Sequence, residues 1–298
     1  MSRVFYKRFY LLFLMVLTLA AASCAAQKAA VVQPPPKPAR IAVVLGAGAS
    51  RGFAHIGVLK VLEMNKVPIN MIVGTSAGSF VGSLYAYGYD AYSLQGLAIN
   101  IEKGEIADLC VPDNGFIKGD KLEGFVNKKV NNTPIERLKI PFYAVSTDIE
   151  SGQEVVFGRG NTGAAVRASC SIPGIFRPAL INGRMYVDGG VVSPIAVDAA
   201  RRQGADVVIA VDISSELPNS QPQGTVDTIL QSIDIMYSKI SASQLTRADV
   251  VIRPKVGRIG SGDFEKRNEA IMEGEKAANE AMPKINAILM KLRQDGRL

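Results

Sequence analysis

The chain has 298 residues, 48% hydrophobic and 20% charged, enough to bury a sizeable core in one large domain or two smaller ones. Its formal net charge is +7, yet no basic run is interleaved with aromatics, so nucleic-acid binding is not indicated. The single histidine, and the lack of a His/Cys/Asp cluster at ligand spacing, point to neither a metal nor another cofactor.

Arg3, Lys7 and Arg8 form a positive N-terminal region, followed by an uncharged apolar stretch from Phe9 to Ala22. Fourteen residues fall short of the roughly 20 that a membrane span needs. Ala20-Ala21-Ala22-Ser23 then reads as a cleavage region, with Cys24 directly after it. The pattern resembles a bacterial lipoprotein signal peptide over 1–23, although Ala21 stands where Leu is usual. It implies a lipidated Cys24 and a membrane-anchored protein of the cell envelope, at the outer membrane facing the periplasm. An ordinary secretory signal beside a free cysteine is the alternative. Without the three leader cations the net charge falls to +4. Residues 24–39, with Pro34-Pro35-Pro36-Lys37-Pro38, read as an extended tether.

The expected catalytic domain spans 40–214. Ile41 to Leu45 is a buried-strand run, followed by Gly46-Ala47-Gly48-Ala49-Ser50-Arg51-Gly52 and a helical pattern from Phe53 to Leu62. A glycine-rich turn between strand and helix aims N–H groups at an anion. Its spacing is one residue too long for the dinucleotide fingerprint, and the Lys-Ser/Thr of a phosphate-binding P-loop is missing. An oxyanion site fits best. Met71-Ile72-Val73 then leads into Gly74-Thr75-Ser76-Ala77-Gly78 and a small-residue helix from Ser79 to Tyr87. This strand–turn–helix context is that of a nucleophile elbow. In one right-handed βαβ unit both loops leave the same sheet edge, so the glycine loop and Ser76 should face one another.

Further on, Tyr85–Val111 reads as mostly helical with Asp90 or Ser93 as a cap, Lys121–Val130 as a helix and Pro141–Thr147 as a strand. A hairpin is expected at Ser151-Gly152, a helix over Ala164–Ser169 and a strand over Ala205–Val211. Alternation of this kind predicts an α/β fold with an open, mainly parallel sheet flanked by helices. Residues 215–298 read as a mostly helical extension packing on the catalytic domain, without visible chemistry. Pro283 should kink or split its last helix. Cys110 and Cys170 could pair in an oxidising compartment.

A serine hydrolase usually couples its serine to a histidine held by a carboxylate. The lone His55 precedes Ser76, so the Ser–Asp–His order of α/β-hydrolases is excluded, and a packed or capping histidine is the plainer reading. The base must then be a carboxylate, and Asp148, Asp188 and Asp212 all follow strand-like runs. Asp188 is the most suggestive, because Gly189-Gly190 allows a close backbone approach. The residues alone carry the choice no further.

Four stretches in order resemble the patatin-like phospholipases: GAGASRGFAHIGVL at Gly46–Leu59, GTSAG at Gly74–Gly78, ASCSIPGIFRP at Ala168–Pro178 and DGG at Asp188–Gly190. The resemblance implies a three-layer α/β/α fold and a Ser76–Asp188 dyad. It implies an oxyanion hole from Gly46, Gly48, Ala49, Arg51 and Gly52, where Ala47 and Ala49 replace glycines of the plant-type run. The implied activity is two-step hydrolysis of phospholipids or related acyl esters. A carboxylesterase or thioesterase of the same mechanism, or a catalytically weak binding protein on the same fold, are the alternatives. Substrate selection is expected in loops such as 88–135, which carry no readable code, and nothing specifies an oligomeric state.

Overall fold

The computed structural model describes residues 3–24, 36–111, 113–214 and 221–298. Residues 1–37 and 38–298 form two separate units. The first contains helix α1 (Arg3–Cys24). Most of the tether expected over 24–39 lies outside the described residues. Among those described, no helix is long and apolar enough to cross a membrane.

The second unit is built on one mixed sheet. Five strands run parallel in the order β3 (Phe142–Asp148), β2 (Met71–Thr75), β1 (Ile41–Leu45), β7 (Val207–Val211) and β8 (Val250–Ile252). Two strands, β4 (Glu154–Phe157) and β6 (Arg184–Asp188), pair antiparallel with β3, and β5 (Ala179–Ile181) pairs with β6. The sheet is thus open and mainly parallel, as its apolar runs predict. β1, β2 and β7 are buried along their whole length, which requires helices on both faces.

Alternation along β1 assigns the layers. Ile41, Val43 and Leu45 join the larger core with α2 (Phe53–Met64), α3 (Ala77–Tyr87), α4 (Ala91–Asn100), α6 (Asp120–Lys129) and α10 (Arg267–Gln294). Ala42 and Val44 face a smaller core with α8 (Val197–Arg202) and Leu245. The remaining helices are α5 (Lys103–Ile106), α7 (Thr162–Ser169) and α9 (Thr225–Gln244).

The structure sharpens three of these readings. Pro283 lies inside α10, which continues through it to Gln294. An interior proline costs about 3 kcal/mol, but Ala278, Met282, Ile285 and Leu289 are all buried against the core, and that packing holds the helix together. Residues 85–111 are mostly helical, as expected, in three segments. α3 ends at Gly88, whose φ of 122° suits glycine, and Asp90 caps α4 by accepting from the Ser93 N–H at 2.7 Å. α4 ends in turn at Ile101, which is extended. Cys110 and Cys170 are free thiols.

Registers align the functional edge. Leu45 stands opposite both Gly74 and Val211, so β1, β2 and β7 end together and their loops emerge side by side.

Candidate active site

Ser76 sits at the β2–α3 turn with φ 54° and ψ −123°, outside the regions that L-residues favour. Such a conformation stores of order 1–3 kcal/mol and persists only where its surroundings dictate it. Two glycines make it possible. A Cβ at Gly74 would fall 2.5 Å from Gly78 O, and one at Gly78 would fall 2.0 Å from Leu45 O. Strand, turn and helix are therefore closer than any side chain permits. The Ser76 N–H donates to Ser169 Oγ at 2.9 Å, and Ser169 donates onward to Val145 O at 2.6 Å. Thr75 Oγ1 donates to Ser193 O at 3.0 Å. The turn is thereby tied to β3, to the end of α7 and to the segment after β6.

The glycine-rich loop meets this turn as the βαβ geometry requires. A Cβ at Gly52 would stand 2.6 Å from Ala77 Cβ. Ala49 has φ 48°, a left-handed conformation for a residue with a side chain. The N–H groups of Gly46 and Ala47 are engaged by Val211 O and Pro194 O. Among the described residues, those of Gly48 and Ala49 donate to nothing. Arg51 is buried. Its Nε donates to Gly48 O at 3.1 Å and its outer nitrogen to Asp234 of α9 at 2.5 Å. The guanidinium therefore braces the loop.

His55 is fully buried, and its Nε2 donates to Gly46 O at 2.8 Å. Burial depresses its pKa to about 4, against the opposing effect of that hydrogen bond. It is a neutral strut under the loop.

The three candidate aspartates separate by their partners. Asp148 accepts from the N–H groups of Glu150 and Ser151 and pairs with Arg184. The Ser151 N–H is the largest influence holding its pKa below the ordinary value. Asp212 accepts from Ser214 and pairs with Arg253. Both organise turns. Asp188 is different. It is fully buried, with Oδ1 accepting from the Gly190 N–H at 2.7 Å and no full hydrogen bond at Oδ2. Burial raises its pKa from 3.8 to about 6, while the neighbouring Ser76 hydroxyl, Gly190 N–H and Tyr237 hydroxyl pull it down. Of the three, Asp188 is the one brought to Ser76. A carboxylate there would be ionised at neutral pH yet far more basic than a free aspartate.

Ala49, Gly52, Ser76 and Ala77 share the wall of a cavity of about 340 Å³. The rest of its lining is almost wholly apolar, with Phe53, Phe80, Leu97, Ile101, Phe125 and Phe176 among the contributors. Much of it comes from 88–135, the stretch without a readable code. Next to Ala107 and Ile117 of the lining, Leu109 and Val111 are more than 80% exposed.

A family model described as patatin-like phospholipase matches residues 43–201. The chain belongs to the patatin-like phospholipase family. It is 29% identical over 292 residues to the lysophospholipase NTE1 of Pyricularia oryzae, covering 87% of this chain and 19% of that protein. It is 30% identical over 279 residues to the lysophospholipase NTE1 of Coccidioides immitis, covering 82% and 18%. With an uncharacterized NTE family protein of Mycobacterium tuberculosis it shares 28% over 269 residues, covering 81% and 46%. It thus spans under a fifth of the fungal relatives and under half of the mycobacterial one. Among solved structures, VipD from Legionella pneumophila superposes with a TM-score of 0.47 at 13% identity, covering 85% of this chain and 67% of that one.

Sequence reasoning missed Ser169, Tyr237 and Asp234. Ser169 lies within the third family-like stretch, so a signal for it was present. Tyr237 and Asp234 lie on a helix whose pattern carries no chemical mark.

Proposed function

We propose that this member of the patatin-like phospholipase family is a serine acyl hydrolase acting on phospholipids or lysophospholipids through a Ser76–Asp188 dyad. The carrying observation is a buried, half-satisfied carboxylate beside a strained serine at the wall of an apolar cavity. The acyl chain lies in the cavity and the ester carbonyl meets Ser76 Oγ. Asp188 accepts the hydroxyl proton as Oγ bonds to the carbonyl carbon. The resulting oxyanion is held by the loop Gly46–Gly52, with the unengaged N–H groups of Gly48 and Ala49 as donors, each worth about 3–4 kcal/mol. Asp188 returns the proton to the departing alcohol or lysolipid oxygen, and the C–O bond breaks. Water, deprotonated by Asp188, then releases the fatty acid and restores Ser76.

Two relatives bearing the name lysophospholipase support the substrate class. The exposed Leu109 and Val111 beside the cavity suit a protein that meets a lipid surface. The anchoring reading adds a lipidated Cys24 and an envelope location, on the strength of the charged and apolar leader. Fatty-acid release from phosphatidylcholine and lysophosphatidylcholine tests the activity. A wild type that cleaves neither, while Ser76→Ala behaves identically, overturns it. Mass spectrometry of the mature N-terminus tests the anchor: a diacylated Cys24 is expected, and an unmodified terminus defeats it.

A further inference from the structure

Helix α9 lies in a region whose sequence carries no chemical signature, yet it touches both halves of the candidate site. Asp234 pairs with Arg51, which holds the glycine-rich loop. One turn later, Tyr237 meets the segment that carries Asp188. A Cβ at Gly190 would stand 2.2 Å from Tyr237 Cζ and 2.5 Å from its hydroxyl oxygen. The phenol therefore rests directly on the backbone two residues beyond Asp188. This explains the second glycine of the Asp188-Gly189-Gly190 stretch: no other residue leaves room for the ring.

Tyr237 is 5% exposed, and its hydroxyl is buried without a full hydrogen bond. Asp188 Oδ2 is buried and equally unsatisfied. One atom is a donor and the other an acceptor, and native proteins rarely leave two such neighbours unmatched. We infer that Tyr237 is a positioning residue for acyl transfer, its O–H donating to one lone pair of the ionised Asp188 Oδ2 and leaving the other aimed at Ser76 Oγ–H. Gly190 N–H occupies Oδ1. The carboxylate is then held at both oxygens and cannot rotate away from the serine.

The surrounding charges agree with this role. Asp188 is faced by Ser76, the Gly190 N–H, Tyr237 and the Cys170 thiol. Tyr237 is faced by Asp188, Asp234 and Cys170. Burial comes first in raising both the Tyr237 and the Cys170 pKa, and the charge of Asp188 raises them further. Tyr237 thus stays protonated, a fixed donor, and Asp234 has Arg51 as its counter-ion.

The inference rests on Asp188 being the base, and the test separates the two. kcat/KM for a soluble p-nitrophenyl ester is measured from pH 5 to 9 for wild type, Tyr237→Phe and Asp188→Asn. Phenylalanine keeps the ring against Gly190 and removes only the donor. Without that donor the Asp188 pKa rises, so the acid limb of Tyr237→Phe moves to higher pH. A displacement of one unit makes the variant about fivefold slower near pH 6, approaching tenfold near pH 5, and much closer to wild type near pH 8.5. An unmoved acid limb, whether activity is unchanged or uniformly reduced, overturns the inference and leaves Tyr237 as packing. If Asp188→Asn retains wild-type activity, the base assignment itself fails and the inference falls with it.

Discussion

Ser76 and Asp188 reach one another through β3. Thr75, the residue before the serine, stands opposite Val145, and Asp188 stands opposite Ser146. Consecutive residues of one strand thus hold the two ends of the site, one through a parallel partner and the other through an antiparallel one. Ser169 reinforces the junction by bridging Ser76 N–H and Val145 O. The proposed dyad depends on this register, because its members lie 112 positions apart in sequence.

The first consequence is a pH profile. Asp188 has a pKa of about 6, raised by burial, and only its ionised form accepts a proton. Activity should therefore rise across about pH 6 and level off above about pH 7. Initial rates on a soluble ester in constant-ionic-strength buffers check this. An acid limb near pH 4 would mean that the working base is a solvated carboxylate.

The same burial makes the site costly to the fold. A carboxyl whose folded pKa is raised above its unfolded value contributes stability that is complete below about pH 4 and lost as pH rises through 6. Asp188→Asn removes that loss and should be about 3 kcal/mol more stable than wild type near pH 8, with the gap closing below pH 4. His55 has the opposite sign. Its folded pKa is depressed to about 4, so its contribution is present above 6.5 and lost as pH falls through 4. The two slopes oppose one another between 4 and 6, and Asp188→Asn should expose the His55 slope as a steeper acid destabilisation. Urea unfolding across this range reads both effects. An Asp188→Asn protein no more stable than wild type near pH 8 would show that the aspartate carries no desolvation penalty.

Ser169→Ala leaves the buried Ser76 N–H without its acceptor, which costs about 1–3 kcal/mol. The cost falls on the strained turn. We expect a lower unfolding midpoint together with a reduced kcat and little change in KM for a short ester. A loss of stability with full kcat would show that the turn keeps its geometry without this bridge.

The parts of this architecture that follow from local physics are visible in the sequence. β1, β2 and β7 announce themselves as apolar runs, and the two loops that leave them carry the glycines that their close approach requires. Asp90 is legible as a cap because a short polar side chain precedes a helical run. Asp188 is only one of three aspartates at strand ends, since the strand register that separates them is a long-range property. Asp234 and Tyr237 lie on an amphipathic helix where a charge and an aromatic look like surface and core, and only its crossing of the site gives them partners. The cavity is hidden for the same reason: its lining is assembled from α2, α3, α4, α6 and the segment around Phe176. Pro283 shows the converse: the helix break that it favours locally does not occur, because tertiary packing carries α10 through it.

That cavity predicts a chain-length effect. Leu97 lines it from α4, and Leu97→Trp fills part of the space with a larger ring. Short esters such as butyrate should be cleaved at near wild-type rates. Esters of long fatty acids should lose about tenfold or more in kcat/KM, the scale set by about 1–3 kcal/mol for a pocket contact. An equal effect on short and long chains would place the acyl group elsewhere.

The central claim is that Ser76 is a nucleophile activated by Asp188. It is tested most directly by treating wild type, Ser76→Ala and Asp188→Asn with a fluorophosphonate and locating the adduct by peptide mass spectrometry. The account predicts one adduct, on Ser76, in the wild type, none in Ser76→Ala, and labelling slowed by about 10²–10⁴-fold in Asp188→Asn, the range for loss of a general base. An adduct on another residue, or equal labelling of Asp188→Asn and wild type, would contradict it.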